Sequence, residues 1–377
     1  MRAFGFLALL PAVLGNPLNA RTTACNNSPD LCSKSYGEIT HLGAHDSAFV
    51  RDSNSGVSLA GDQYYDTPTQ LDAGVRLVSA QVHKSNSEWR LCHSKCDLMD
   101  AGTLSDWLKD VKKWLDDNPN DVVTILLVNS DGASASDLDA QFKKADIVDY
   151  AYKPTSNSAP KSWPTLQSMI DDKKRLVVFV ASLGSNTDAP YLLDEFSFVW
   201  ENPYDVTSPT KFSCDPQRPK EVSGQASTAL ASNRLPLMNH FLYSTDLSMF
   251  DVEFPNASYV ATTNAASGGT GNLGSTATKC KKEWGGRQPT FILVDFFNRG
   301  PAIETVDNLN NVSNPIGRKS LSTSDTPQSS SGSTTGNVFK DLLDLANSAK
   351  GGASPSMGNW IWVGGNWGSL FGGGVSF

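Results

Sequence analysis

The chain has 377 residues, which is enough for one large domain or two ordinary ones. Hydrophobic residues make up 39% of it and charged residues 19%, a composition typical of a chain that folds around a substantial core. The formal net charge is −8, which argues against nucleic acid or an anionic membrane surface as an electrostatically bound partner. A transient contact with a membrane would therefore have to be local and apolar.

The N-terminus has the three parts of a secretory signal peptide, over residues 1–20. Arg2 supplies a positive charge, residues 4–14 are apolar, and residues 18–20 offer a small-residue cleavage site. The apolar run is too short to span a membrane. We therefore expect the mature protein to be soluble, secreted and extracellular. Three sequons for N-glycosylation agree with an exported surface, at Asn26, Asn256 and Asn311.

The cysteine content also fits an exported protein. The chain has six cysteines, at Cys25, Cys32, Cys92, Cys96, Cys214 and Cys280. An even number in an exported chain favours up to three disulfides. We expect the pairs that are close in sequence, Cys25–Cys32 and Cys92–Cys96. The alternative is a zinc site at residues 92–96, although no second ligand pair stands at metal spacing.

Short apolar runs rich in β-branched residues predict strands along the chain. Seven such runs occur, at Glu38–Leu42, Arg76–Val82, Val122–Val128, Arg175–Ala181, Phe196–Trp200, Leu235–Leu242 and Thr290–Phe296. The third run is apolar almost without interruption, which is typical of a strand buried on both faces of a parallel sheet.

Helical patterns lie between these runs. Apolar residues over 104–115 recur at intervals of 3, 4 and 7, which predicts an amphipathic helix. Further helices are predicted at Ala135–Asp146, Leu166–Asp172 and Ala302–Asn311. Strands that alternate with helices predict an α/β fold, a complete or irregular (β/α) barrel of the TIM type, with a doubly wound open sheet as the alternative.

We expect the barrel to occupy residues 21–312. A low-complexity Ser/Thr-rich loop is predicted at 313–336, and a C-terminal helix followed by a Trp/Gly-rich segment at 337–377. We expect this last segment to pack on the barrel. The alternative is an aromatic surface that contacts lipid or glycan.

Several side chains with catalytic potential lie at the ends of predicted strands. His45 and Asp46 follow the first strand, Arg76 begins the second, His93 precedes the amphipathic helix, and Asp295 ends the last strand. Residues after the C-terminal ends of barrel strands form the active-site face. Two histidines suit acid–base chemistry because imidazole titrates near neutrality.

These residues lie in segments that resemble the phosphatidylinositol-specific phospholipase C X-domain family. "GAHDS" (43–47) is similar to its "GTHDS" signature, "LDAGVRLVSAQV" (71–82) to its L-x-x-G-x-R strand, and "RLCH" (90–93) stands where its second histidine occurs. Later segments are similar to its helix-to-strand passage and its last strands, at 116–131, 236–245 and 291–298. The resemblance spans residues 36–311, with metal-independent bacterial enzymes and secreted fungal phospholipase C-like phosphodiesterases as the most similar members.

The resemblance implies cleavage of a phosphodiester by a pair of histidines. His45 would be the general base and His93 the general acid, with Asp295 orienting His45 and Asp46 orienting His93. Arg76 matches the family's strand arginine. The implied substrate is a phospholipid headgroup, such as a phosphoinositide or glycosylated phosphoinositide, or another small phosphodiester. We expect a monomer without a cofactor, with a divalent cation as the alternative.

The chain departs from the family pattern where positive charge is needed. Calcium-dependent members carry acidic ligands at the positions of Ser79 and Gln81, and metal-independent members carry an arginine at that of Gln81. Asn129 stands near the family's lysine. Loss of such charge near a phosphoryl group costs about several kcal/mol of transition-state stabilisation. Candidate replacements are His83, Lys84, Lys95 or a metal held by Asp131 or Glu201.

The substrate-binding candidates are Gln81, His83, Asn129, Glu201 and His240. The missing charge leaves two alternative functions open. One is a catalytically silent relative that binds phospholipid headgroups or glycans. The other is a metal-dependent hydrolase of the glycerophosphodiester type, which normally carries an acidic pair at the positions of Ser79 and Gln81.

Overall fold

A computed structural model describes residues 24–51, 58–184, 186–244 and 253–321. The predicted signal peptide and the C-terminal helix and Trp/Gly-rich segment predicted at 337–377 lie outside the described residues, as does most of the Ser/Thr-rich segment. Among the helices described, none combines the length and the apolar character needed to cross a membrane.

Twelve strands and nine α-helices form the described part of the chain. The strands are β1 (His41–Ala44), β2 (Leu77–Ser85), β3 (Glu88–Cys92), β4 (Asp100–Thr103), β5 (Val123–Asn129), β6 (Leu176–Ala181), β7 (Leu192–Asp194), β8 (Val199–Glu201), β9 (Leu235–Asn239), β10 (Tyr243–Ser244), β11 (Phe254–Pro255) and β12 (Phe291–Val294). The helices are α1 (Thr67–Ala73), α2 (Leu104–Asp117), α3 (Ala135–Lys144), α4 (Leu166–Asp171), α5 (Glu195–Phe198), α6 (Ala226–Ala231), α7 (Val260–Thr263), α8 (Leu273–Glu283) and α9 (Ala302–Asn310).

Eight of these strands form a curled parallel sheet in the order β7-β6-β5-β2-β1-β12-β9-β8. Read around the sheet, this is the order of the chain, as in a TIM barrel. Among the described residues β7 and β8 are not paired with each other, so the barrel is open at that seam. The predicted distorted (β/α) barrel is confirmed, and the doubly wound alternative is wrong because no strand order reverses.

The seven predicted strands differ from the structure mainly near the seam. The predicted strand Phe196–Trp200 is wrong in its first half, because α5 continues to Phe198 before β8 begins. Asp194 caps that helix by accepting a hydrogen bond from the Ser197 N–H at 3.1 Å. The short strand β7 and the hairpin β3–β4 were not predicted, since each has too few apolar residues to give a pattern.

Aromatic side chains fill the barrel at the N-terminal ends of its strands. Tyr36, Phe179 and Phe291 are fully buried there, and the Tyr36 hydroxyl lies 2.6 Å from Thr124 Oγ1. Outside the sheet, the predicted stripe of α2 packs into the main core. Among the described residues, these side chains fill the interior at the N-terminal ends of the strands.

The structure contains three disulfides, Cys25–Cys32, Cys92–Cys96 and Cys214–Cys280. The zinc alternative at residues 92–96 is therefore wrong, because both thiols are oxidised to one bond. Among the sequons, Asn311 is exposed but Asn26 is buried, and its amide oxygen accepts the Val122 N–H at 2.7 Å. In the folded state Asn26 is thus inaccessible to a glycan.

Candidate active site

A cavity opens at the C-terminal ends of the strands, as the barrel fold predicts. Its lining combines polar side chains with apolar ones, and consists of His45, Asp46, Ser79, Gln81, Leu126, Val128, Ala181, Glu195, Glu201, Tyr204, Arg218, Asn239, Phe241, Tyr243 and Leu293. The cavity has two differently charged ends, one around His45 and one around Glu201.

The ring of His45 is fixed at the first end. Its backbone N–H donates to Val294 O at 2.9 Å, which extends the pairing of β1 with β12 by one residue. Its Nδ1 lies 2.8 Å from Asp295 Oδ1, and its ring stacks on Phe241 at 3.7 Å between centroids. An ionised carboxylate only accepts hydrogen bonds, so Nδ1 donates and Nε2 is left for chemistry.

Three carboxylates determine the charge of His45. Burial alone would lower its pKa, but the negative charges of Asp46, Asp295 and Asp62 outweigh burial and raise it to about 10. The Asp62 contact runs from Oδ1 to His45 Nδ1 at 3.8 Å. Without substrate, His45 is therefore an imidazolium at neutral pH.

Gln81 and Ser79, which stand where family members carry charge, hold Asp46 in place. Gln81 Nε2 donates to Asp46 Oδ2 at 2.7 Å, and its Oε1 accepts the Ser94 N–H at 2.8 Å. Ser79 Oγ accepts the Asp46 N–H at 2.9 Å. These bonds fix a residue whose φ of 45° is unusual for aspartate. Gln81 therefore links Asp46 to the loop that carries His93.

His93 lies behind Asp46, within the loop closed by the Cys92–Cys96 disulfide. It is 3% exposed and is not among the described residues that line the cavity. Asp46 Oδ2 lies 3.8 Å from His93 Nε2 and 3.8 Å from His45 Nε2. One carboxylate oxygen thus separates the two histidines and connects His93 to the cavity.

Asp62 is the site residue that the sequence did not reveal. Its Oδ2 lies 3.3 Å from His93 Nε2, closer than Asp46 is. The resemblance implied Asp46 as the partner of His93; the structure instead places Asp62 nearer, because the segment at 61–63 inserts beside the end of β12. Asp62 belongs to no predicted strand, so no sequence periodicity could have indicated it.

Two overlapping sets of donor atoms have the spacing of metal ligands, His45–Asp62–Asp295 and Asp46–Asp62–His93, with atoms within 4.8 Å of one another. A metal would need a lone pair on the ring nitrogens that face these carboxylates. At His45 Nδ1 the 2.8 Å contact to Asp295 is that of an N–H donor. A metal at His45 Nδ1 would therefore have to displace that proton.

The second end of the cavity centres on Glu201. Glu201 Oε2 accepts from Arg218 Nη2 at 2.5 Å, from Arg218 Nε at 3.0 Å and from Asn239 Nδ2 at 3.2 Å. Burial raises the pKa of the adjacent Glu195 well above its usual range, with the Glu201 charge adding to the effect. Arg218, which stacks on Tyr204 at 4.3 Å, was not predicted because it lies in a loop between β8 and β9.

The structure does not bring Arg76 to the site, so its prediction as a catalytic residue is corrected. Arg76 precedes β2, at the opposite end of the barrel from His45. Its guanidinium donates to Asp121 Oδ1 at 2.7 Å and to Asn27 Oδ1 at 2.6 Å. Arg76 is thus a buried residue whose contacts are structural.

Three predicted substrate-binding residues also lie outside the cavity lining, His83, Asn129 and His240. His240 points away between two inward-facing residues of the β9 segment, and its Nε2 lies 3.1 Å from Thr263 O. Asn129 stabilises the loop that follows it: its Oδ1 accepts the Ala133 N–H at 2.7 Å, and its Nδ2 donates to Ala133 O at 2.9 Å. His83 lies where β2 pairs with β3, 3.3 Å from Asp131. Gln81 and Glu201 do line the cavity.

Comparison with known sequences identifies the family of this barrel. The PI-PLC X profile matches residues 31–310, most of the described part of the chain. The chain belongs to the PI-PLC X family. A "PI-PLC X domain-containing protein 1" of Arthroderma benhamiae is 35% identical over 293 residues, covering 77% of this chain and 90% of the relative.

Two further proteins are similar to this chain, one in sequence and one in fold. An "Uncharacterized secreted protein" of the same organism is 38% identical over 302 residues, which cover 78% of this chain and 66% of that relative. The chain thus spans about two thirds of that relative's length. The phosphatidylinositol-specific phospholipase C from Listeria monocytogenes has a similar fold, with a TM-score of 0.50 at 17% identity, over 75% of this chain and 95% of the bacterial one.

Proposed function

We propose that this PI-PLC X protein cleaves a phosphodiester that carries a neighbouring hydroxyl, with His45 as general base and His93 as general acid. The observation that carries the proposal is the Asp295–His45 hydrogen bond, which orients the cavity-facing Nε2 of His45. An oriented imidazole at an open cavity is the arrangement required of a general base.

The proposed reaction conserves atoms and charge. Unprotonated His45 Nε2 takes the proton of the neighbouring hydroxyl, and that oxygen attacks phosphorus to form a cyclic phosphate. The bond from phosphorus to the leaving alkoxide oxygen breaks, and this oxygen receives a proton supplied by His93 on the side of Asp46. Asp295 stabilises the imidazolium that forms at His45, as in other carboxylate–histidine pairs.

The Glu201 end suits the polar headgroup. Glu201, Asn239 and Tyr204 line this end, and they offer carboxylate and amide oxygens as acceptors beside an aromatic ring. Among the described residues that line the cavity, Arg218 is the one arginine or lysine. Because Glu201 neutralises much of that charge, the substrate class we propose is a hydroxyl-rich headgroup such as a phosphoinositide, in free, lipid or glycosylated form.

Replacing His45 or His93 by alanine tests the mechanism. With phosphatidylinositol vesicles and soluble glycerophosphoinositol as substrates, ³¹P NMR should show a cyclic phosphate from the wild-type protein and a loss of about 10²-fold or more in each variant. His83→Ala is the matched control, since His83 also faces a carboxylate at 3.3 Å but lies outside the cavity. If both variants turn over like the control, the mechanism is wrong.

A second candidate function is binding without cleavage, favoured by the uncharged Ser79 and Gln81 in the cavity wall. It predicts no cyclic phosphate from any substrate, together with headgroup binding that survives His45→Ala. The metal-dependent hydrolase is a third alternative, which predicts that a chelator abolishes turnover. The hydrogen bond from His45 to Asp295 favours turnover that withstands chelation.

We further propose that the protein is exported, since it contains three disulfides and resembles a protein named as secreted.

A further inference from the structure

Asp62 occupies an unusual position for an ionisable side chain. It is fully buried, and neither of its carboxylate oxygens accepts a hydrogen bond of good geometry from the described residues. Its backbone is firmly held, because its N–H donates to Phe49 O at 3.0 Å and its carbonyl accepts the Phe296 N–H at 2.8 Å. The side chain is therefore directed into the cluster by main-chain bonds on both sides.

The neighbouring residue strengthens this placement. Gln63 donates from Nε2 to His45 O at 2.7 Å and to Val294 O at 3.0 Å, and its Oε1 accepts the Phe297 N–H. These bonds fix residues 62 and 63 beside the C-terminal ends of β1 and β12. A buried carboxylate without donors is strongly unfavourable, and the groups closest to Asp62 that can supply a proton are the rings of His93 and His45.

We propose that Asp62, rather than Asp46, is the positioning residue that orients His93 and keeps a proton on its Nε2. Asp46, already bonded to Gln81, then faces the cavity between the two histidines. The orienting role stands on geometry alone, whereas its consequence for turnover rests on the proposed function.

The charges around His93 are consistent with this role. Burial lowers the pKa of His93. The negative charges of Asp62 and Asp46, of which Asp62 has the larger effect, outweigh burial and raise the pKa above its usual value. His45 opposes this shift, and the remaining charged groups that interact with His93 are His83 and Glu253. Asp62 is the largest single source of the attraction that retains the proton.

Histidine-selective NMR tests the proposal without any need for activity. The chain has only five histidines, so the His93 resonance can be assigned with His93→Ala. In Asp62→Asn, a near-isosteric change, the pKa of His93 should fall, because a negative charge has been removed from its nitrogen. Asp131→Asn is the matched control: it removes the carboxylate 3.3 Å from His83 and should lower the pKa of His83, with a much smaller effect on the pKa of His93 than Asp62→Asn has.

A second measurement uses the unmodified protein, in case Asp62→Asn fails to fold. Above the pKa of His93, the ¹⁵N shifts of its ring should show the tautomer protonated at Nε2. A neutral ring protonated at Nδ1 would overturn the proposal, and so would a pKa of His93 that is the same in Asp62→Asn as in the wild type.

Turnover then separates this inference from the proposed function. If cyclic phosphate forms, Asp62→Asn should lower kcat about tenfold or more with little change in KM, since Asp62 acts through the general acid. The limb of the pH profile that reports His93 should move to lower pH, because His93 loses its proton earlier. A lower kcat without a shift of that limb would contradict the orienting role of Asp62. Absence of any turnover would count against the proposed function, and the NMR measurement would then decide whether Asp62 orients His93.

Discussion

Two buried charged clusters lie at opposite ends of β2, and they differ in how completely their polar atoms are paired. Around Arg76, every guanidinium nitrogen donates a hydrogen bond, to Asp121, Asn27 or nearby carbonyls. At the other end, both oxygens of Asp62 and Oδ2 of Asp295 have no hydrogen-bond donor among the described residues.

The difference separates stability from chemistry. Fully paired buried networks rigidify a fold, whereas incompletely paired ones are unfavourable for folding and concentrate at functional sites. The barrel is thus held together at the N-terminal ends of its strands and keeps reactive groups at the C-terminal ends. Substitutions in the two clusters should therefore have opposite effects on turnover and on the free energy of unfolding.

The largest effect on turnover in this comparison is expected from Asp295→Asn. The amide cannot stabilise an imidazolium and favours the wrong tautomer of His45, so kcat should fall on the order of 10³-fold, as carboxylate–histidine pairs generally behave. The free energy of unfolding should change little, because the substitution also removes a carboxylate whose Oδ2 is unpaired. Urea titrations beside ³¹P NMR assays would check both; a large loss of stability with normal kcat would contradict the comparison.

The pH profile of the same variant gives the sign of the electrostatic effect. The general base must be unprotonated, and the pKa of His45 is raised to about 10, since Asp46, Asp295 and Asp62 outweigh burial. The pKa of His45 should therefore appear as one limb of the wild-type pH profile, above neutrality. Without the Asp295 charge the pKa of His45 falls, so that limb should move to lower pH while the maximum of the profile decreases.

Arg76→Met should have the reverse phenotype. It leaves the half-buried Asp121 without its cation, and removing one partner of a fully buried ion pair costs about 3–5 kcal/mol, which is an upper bound here. The free energy of unfolding should fall by that order, while kcat per folded molecule stays within about twofold, because Arg76 touches no residue of the cavity. Active-site titration alongside urea unfolding measures the two quantities separately, and a specific loss of kcat would return Arg76 to the catalytic residues.

The pattern of strands in the sequence predicted the fold, and it predicted that His45, Asp46 and Asp295 lie together. His45, Asp46 and Asp295 follow apolar runs that became neighbouring parallel strands, and the C-terminal ends of such strands share one face. The same rule, applied strictly, would have excluded Arg76, which stands before its strand. His240 was misassigned because a slip of one residue moves a side chain to the other face of a strand.

The remaining site residues depend on tertiary contacts that have no period in the sequence. Asp62 reaches the histidines from a loop fixed by main-chain bonds to Phe49 and Phe296. Arg218 reaches Glu201 through a bridge between its own backbone and the edge of β8. Loops carry function because a rigid scaffold positions them, and their residues can be located only once that scaffold is known.

The smallest expected effect concerns Gln81, which replaces the charge of other family members. In Gln81→Leu, Asp46 loses its 2.7 Å donor and Ser94 N its acceptor. Leaving buried polar groups unpaired costs about 1–3 kcal/mol each, so both stability and the position of Asp46 should be affected. We expect the free energy of unfolding to fall by about that amount and kcat to fall about tenfold.

Gln70→Leu is the matched control for this substitution. Gln70 is also a buried glutamine, and its Nε2 donates to Ser47 O at 2.9 Å and Tyr65 O at 2.7 Å, outside the cavity lining. Its loss should destabilise the protein comparably and leave kcat unchanged. If the two variants have equal kcat, Gln81 is only a structural residue, and the chemistry does not depend on how Asp46 is held between the two histidines.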